Sequence, residues 1–226
     1  RLSEWSKSDG DFPWHVAFHP YPENLFEPRF WNDRQAVLSF DSPKITFKNV
    51  EVLPLYLKQR HLLYRGQPRR IILSEQGFHT PEGPEGETIQ AAAYAGAYYK
   101  LSHTPGIDAF ILHRHVDHKQ EGGLRLGLWT WKESDPGPCT PDRRKHIYDV
   151  FRLADSDQWE KAFEFAKPVL GITSWDEMRP AQRLALPDKN VVYDLFLRMD
   201  RAQRENCLDW RPETLEHEGK RLPTIF

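Results

Sequence analysis

No run in the sequence approaches the roughly 20 consecutive apolar residues that a membrane-spanning helix needs, and residues 1–10 lack the apolar stretch of a secretory signal. Membrane spanning is excluded on that ground, and no membrane partner is expected. An excess of one charge is missing too. The chain sets 31 Lys and Arg against 33 Asp and Glu, a formal net charge of −2, which removes polyanions, and nucleic acid with them, from the expected partners. The two cysteines, Cys139 and Cys207, match no metal-ligand spacing; free thiols are the expected reading, with a pair as the alternative. Neither GxGxxG nor GKS or GKT occurs, so no nucleotide cradle is present and no cofactor is called for. No internal repeat or low-complexity segment is apparent.

What is present suffices for a core: the chain is 39% hydrophobic, with 8 Trp, 8 Tyr and 13 Phe. It opens on Arg1 rather than Met, and Leu2, Ser3, Glu4 and Trp5 read as the last turns of an amphipathic helix, so a truncated chain is expected. An upstream signal peptide would then leave no trace, which keeps a secreted or periplasmic location open.

Residues 14–19 mix aromatic and branched side chains and stop at Pro20, Tyr21 and Pro22, the pattern of a short buried strand running into a proline-locked loop. The polar stretch 23–46 is too long for a plain connector, and its Phe26, Phe30, Trp31 and Phe40 must be covered or used for binding. Val50, Leu53, Tyr56 and Leu57 fall at helical spacing and predict a helix over about 48–64, with Pro54 in its first turn. The run Ile71, Ile72, Leu73, ending in Ser74 and Glu75, predicts a strand buried on both faces. Residues 85–102, rich in alanine, predict a long helix, and 107–113 a third strand. Residues 122–131 read as a hairpin arm, 136–141 as a loop, and 145–154 and 157–169 as closing helices. Beyond Ile172, with Pro180, Pro187, Pro212 and Pro223 interrupting, a helical appendage is expected, including one helix over 189–206. The division falls into 1–172 and 173–226.

Strand, helix, strand, helix, strand at this spacing is the signature of parallel crossovers, so the fold class is α/β. A doubly wound sheet would show a phosphate turn, whereas a (β/α)8 barrel gathers chemistry at strand C-terminal ends. His19, Glu75 and His113 stand at such ends and favour the barrel.

Glu75 is the sharpest feature, because a carboxylate at the rim of a buried sheet can be tuned by desolvation into a nucleophile. The plainer alternative is a salt bridge to Arg69 or Arg70. His19 and Tyr21 would hydrogen-bond a sugar hydroxyl or orient Glu75, or be simple turn and packing residues. His113 and His115 would project to one side of an extended strand, as metal ligands or as pocket walls. Trp129 and Trp131 would face one way as a stacking platform for a sugar ring, or fill the core. Glu121 and Arg125 would line the same mouth, while Arg143, Arg144 and Lys145 read as the solvated start of a helix.

The succession His19-Pro20-Tyr21-Pro22, Trp31-Asn32-Asp33, Leu73-Ser74-Glu75-Gln76-Gly77-Phe78 and Glu121-Gly122-Gly123-Leu124-Arg125-Leu126-Gly127-Leu128 resembles the C-terminal half of an uncharacterised bacterial family similar to clan A glycoside hydrolases, which are retaining (β/α)8 barrels. The resemblance spans roughly residues 5–175. It implies that the strands seen are the sixth to eighth and that Glu75 is the nucleophile. It also exposes a departure. The clan's acid/base is a Glu preceded by Asn after the fourth strand, and no Asn-Glu pair follows a strand here. Retention needs two carboxyl groups roughly 5 Å apart, so the chain would lack half the machinery and its first five strands.

The expectation is thus the C-terminal portion of a TIM barrel acting on an unidentified carbohydrate, with Glu75 as nucleophile and His19, Tyr21, His113, His115, Glu121, Trp129 and Trp131 around the substrate. A noncatalytic carbohydrate-binding or scaffold barrel is one alternative, and a metal-dependent hydrolase using His113 and His115 another. Three barrel strands alone would leave an open edge and an uncovered inner face, so self-association is expected.

Overall fold

The computed structural model describes residues 10–184 and the strand segments 211–217 and 220–224. Three short strands, β1 (Val16–Phe18), β2 (Ile71–Gln76) and β3 (Ile107–Leu112), form a parallel sheet in the order β1-β2-β3. The helix α1 (Val52–Leu57) lies in the β1–β2 connection and α2 (Gly86–Ser102) in the β2–β3 connection. A separate antiparallel pair joins β4 (Trp129–Trp131) to β5 (Pro141–Arg144), followed by the helices α3 (His146–Leu153), α4 (Trp159–Phe163) and α5 (Ala166–Leu170). The described residues are therefore mixed α/β with a parallel core and no closed barrel.

Strand register explains which residues are buried. Val16 pairs with Ile71 and Phe18 with Leu73, and Leu73 pairs onward with Phe110. Ile71 and Leu73 are wholly buried, and Phe47, Phe78 and Phe110 pack in a cluster with ring centroids 5.1 and 5.6 Å apart. Tyr94 of α2 stacks on Phe110 at 5.5 Å and joins the helix to the sheet. The alanines 91, 92, 93, 95 and 97 are all fully buried, so α2 is covered all round, as a small-residue helix packed between layers must be. Trp175 completes the far end of this core against Tyr99 at 5.0 Å, and the chain beyond 172 thus packs back onto it.

The opposite face of the sheet is different. Ala17, Ile72 and Ala109 share one row, and with Ile72 41% and Ile111 51% exposed, β2 is not buried on both faces as its apolar run suggested. Among the described residues helices cover one side only; the other carries the residues that a continuous apolar run would have had to bury.

Three helical expectations are revised. The helix expected over 48–64 stops at Leu57 and gives way to a single 3-10 turn, Arg60–Leu62, because Lys58, Gln59, Arg60 and His61 offer no apolar face to extend it. Tyr56, read as part of that face, is exposed. The helix expected over 157–169 is two short ones, since Pro168 cannot donate to the Glu164 carbonyl and its ring crowds that position. In the expected helical appendage, Arg211–His217 and Lys220–Thr224 pair as antiparallel strands β6 and β7; a two-stranded ribbon has only edges, where Pro212 and Pro223 are tolerated. The helix expected over 189–206 lies outside the described residues.

Candidate carboxylate site

The C-terminal ends of the three parallel strands converge on one polar cluster. Pro20 and Pro22 bracket Tyr21 just past β1 and are buried, which fixes the loop that carries the phenol. The Tyr21 hydroxyl donates to Glu75 Oε1 at 3.0 Å. Burial, followed by the bonded charge of Glu75 and the nearby charge of Glu121, pushes the Tyr21 hydroxyl far above the ordinary tyrosine range, with Arg114 pulling the other way. The phenol therefore remains a donor at any working pH. Beside it, His19 and Ser74 share a hydrogen bond of 3.0 Å between ring Nε2 and Oγ.

Neither arginine next to β2 neutralises Glu75. Arg69 is buried and grips both oxygens of Asp11 at 2.7 Å while stacking 4.2 Å above Trp14; Arg70 pairs with Asp108 at 2.8 Å. The expected salt bridge of Glu75 to Arg69 or Arg70 is thereby removed, and among the described residues the half-buried carboxylate accepts a hydrogen bond from Tyr21 alone.

The third strand brings in a second carboxylate. His113 Nε2 lies 2.7 Å from Glu121 Oε1, and Arg114 Nε lies 3.5 Å from Oε2. The approach of this segment to β2 depends on Gly77, where a Cβ would overlap the His113 carbonyl oxygen. The His113 amide in turn donates to the Gln76 carbonyl at 2.7 Å, and the fully buried Gln76 side chain donates to the Ile111 carbonyl.

Of the expected site residues, His19, Tyr21, Glu75, His113 and Glu121 come together. His115, Trp129 and Trp131 do not share these contacts. His115 is exposed and uses its backbone carbonyl to accept from the amides of Leu128 and Trp129. Trp129 packs against the Arg144 guanidinium at 5.2 Å and the edge of Tyr148 at 5.5 Å, and Trp131 donates to Glu133 at 2.6 Å, so both rings are engaged by the β4–β5 arm and α3. Among the described residues there is no group of three or more His, Cys, Asp or Glu side chains that could hold a metal.

Three participants escaped the sequence reading. Arg114 stands between two histidines whose spacing suggests a pair, and Ser74 lies within a run that reads as plain strand. Lys145, taken for solvated charge, is buried: its ammonium contacts both oxygens of buried Asp117 at 2.9 and 3.1 Å and the Thr80 hydroxyl at 2.8 Å. Burial lowers its pKa to about 8 despite the attraction of Asp117. The visible signal was its position immediately before an amphipathic helix whose Ile147 and Val150 are core residues.

An open cleft of about 730 Å³, lined among others by Thr80, Glu82, Glu87, Arg125, Arg143 and His146, lies where the loop after β2 enters α2. Glu75 does not line it. Among the described residues no helix is long and apolar enough to cross a membrane.

Fold and site define an α/β protein whose parallel strands present a tyrosine-bonded carboxylate at their C-terminal ends. The chain belongs to DUF5722, a family of unknown function, with the match covering residues 1–178. No curated protein and no solved structure matches it.

Proposed function

We propose that this chain carries the nucleophile side of a retaining glycoside hydrolase site, built on the C-terminal part of a (β/α)8 barrel, with Glu75 as the nucleophile. The observation that carries the reading is the setting of Glu75. It stands next to last in the central strand of a parallel sheet, has no cationic partner on that strand, and accepts from a tyrosine kept protonated by its surroundings.

In this reading Glu75 attacks the anomeric carbon as the glycosidic bond breaks, and the leaving oxygen takes a proton from a second carboxyl group. Water then cleaves the glycosyl ester, with that second group now accepting the proton. Tyr21 holds the carboxylate in line before the attack. His19, His113 and Glu121 offer hydrogen-bonding groups to sugar hydroxyls around it. Glu121 Oε1 is held by His113 while its buried Oε2 accepts no hydrogen bond among the described residues, and no described carboxyl is assigned the acid/base role.

The test is hydrolysis of a panel of aryl glycosides with leaving groups that need no protonation, using the wild type and Glu75→Ala with and without azide. Loss of turnover in the variant and its return with azide, as a glycosyl azide, supports the assignment. Sugar binding without turnover, unchanged in Glu75→Gln, would instead make this a noncatalytic carbohydrate-binding barrel.

A further inference from the structure

Three loops leave the C-terminal ends of the parallel strands, and they meet again at one buried imidazole. His79, on the loop after β2, is 5% exposed. Its Nδ1 accepts the Arg125 amide at 3.0 Å from the segment after β3, and the Phe26 ring, from the loop after β1, meets it edge-on at 5.2 Å. The next residue strengthens the junction. The Thr80 amide donates to the Arg125 carbonyl at 2.9 Å, and Arg125 Nε donates to the Thr80 carbonyl at 3.2 Å. The first and third of these loops carry Tyr21 and Glu121, and Glu75 lies in β2 just before the second begins.

An accepting Nδ1 requires a neutral ring with its proton on Nε2. A second proton would turn that acceptor into a donor aimed at an N–H group. It would also place a cation among charges that already oppose it. Arg125 on the segment after β3 and Lys145 at the start of α3 face the ring as cations, and only Glu82 beyond β2 and Glu27 beyond β1 act in the other sense.

We propose that His79 is an acid-sensitive clasp that locks these three loops together while neutral and releases them when it is doubly protonated. The geometry is independent of the chemistry assigned to Glu75, so the clasp stands whether or not that carboxylate is a nucleophile. Burial, reinforced by Arg125 and Lys145, lowers the His79 pKa to about 4 from its ordinary 6.5. With the released loop taking the ordinary value, the proton is bound more tightly when the clasp is open. The contribution of His79 to closure is therefore fully present above pH 6.5 and is lost progressively as the pH falls toward 4.

Hydrogen exchange of the full chain at pH 7.5 and pH 5, corrected for intrinsic exchange rates, tests this at the Thr80 and Arg125 amides. The expected result is an opening equilibrium about 30-fold larger at pH 5, with the amides in the middle of α2 unchanged. His79→Gln, which keeps a neutral acceptor, should show less than about a 3-fold change at the same two amides. A wild-type change below that limit, or an equal pH response in the variant, would overturn the proposal. If His79→Gln does not fold, the ring's own titration in the wild type decides: charging near pH 4 supports the clasp, and charging at the ordinary 6.5 refutes it.

Discussion

At the scale of single residues, Tyr21 is the most informative probe of Glu75, since it is one hydroxyl away from the isosteric phenylalanine. A hydrogen bond to an ionised group contributes about 1.5–3 kcal/mol, and 1.36 kcal/mol corresponds to tenfold in rate. Tyr21→Phe is therefore expected to lower kcat by about 10- to 100-fold while KM moves less than about threefold. Steady-state kinetics on an activated glycoside would show it, and an unchanged kcat would mean that Tyr21 does not serve Glu75. Glu75 itself could be read from the sequence because it ends an apolar run of strand length. Its freedom from Arg69 and Arg70 could not, because their partners Asp11 and Asp108 lie far along the chain. Glu121 was visible as a candidate but not its attachment to His113, which depends on how the segment after β3 folds back.

Elements were legible where one physical pattern dominated. The alanine-rich α2 and the branched runs of β2 and β3 stand where their composition places them. Shorter helices failed where the apolar spacing ran out after Leu57 or where Pro168 removed a donor. The segment that links β3 to α3 was least legible, because it is held by a buried ion pair rather than by periodic apolar residues. Asp117 accepts the Gly127 amide at 2.6 Å as well as the Lys145 ammonium, and a Cβ at Gly127 would overlap the Asp117 amide. Breaking such a pair strands a buried charge at a cost of about 3–5 kcal/mol. Lys145→Ala should lose stability of that order by urea unfolding, and Lys145→Met combined with Asp117→Asn should recover part of it. A loss below about 1 kcal/mol for Lys145→Ala would show that the pair is solvated, as an exposed ion pair is.

For the whole molecule, the uncovered sheet face has the clearest consequence. Exposed Ile72 and Ile111 flank Ala109 on a surface whose two outer strands pair with no further strand among the described residues, an arrangement that favours association. The chain should self-associate at micromolar concentration in light scattering coupled to size exclusion, and Ile72→Thr with Ile111→Thr should reduce it without moving the unfolding midpoint appreciably. A monodisperse wild-type monomer would contradict this and weigh against the barrel-portion reading, in which that face is an interior one. The barrel expectation came from resemblance and strand order, whereas the one-sided cover of the sheet could not be read from β2, whose apolar run looks the same in either setting.

The most direct measurement is peptide mapping by mass spectrometry after incubation with activated 2-deoxy-2-fluoro glycosides, which form the glycosyl ester readily and hydrolyse it slowly. The account predicts a single covalent adduct on the peptide containing Glu75, absent in Glu75→Gln. An adduct on a different carboxylate, or hydrolysis of the parent glycosides with inverted anomeric configuration, would contradict it.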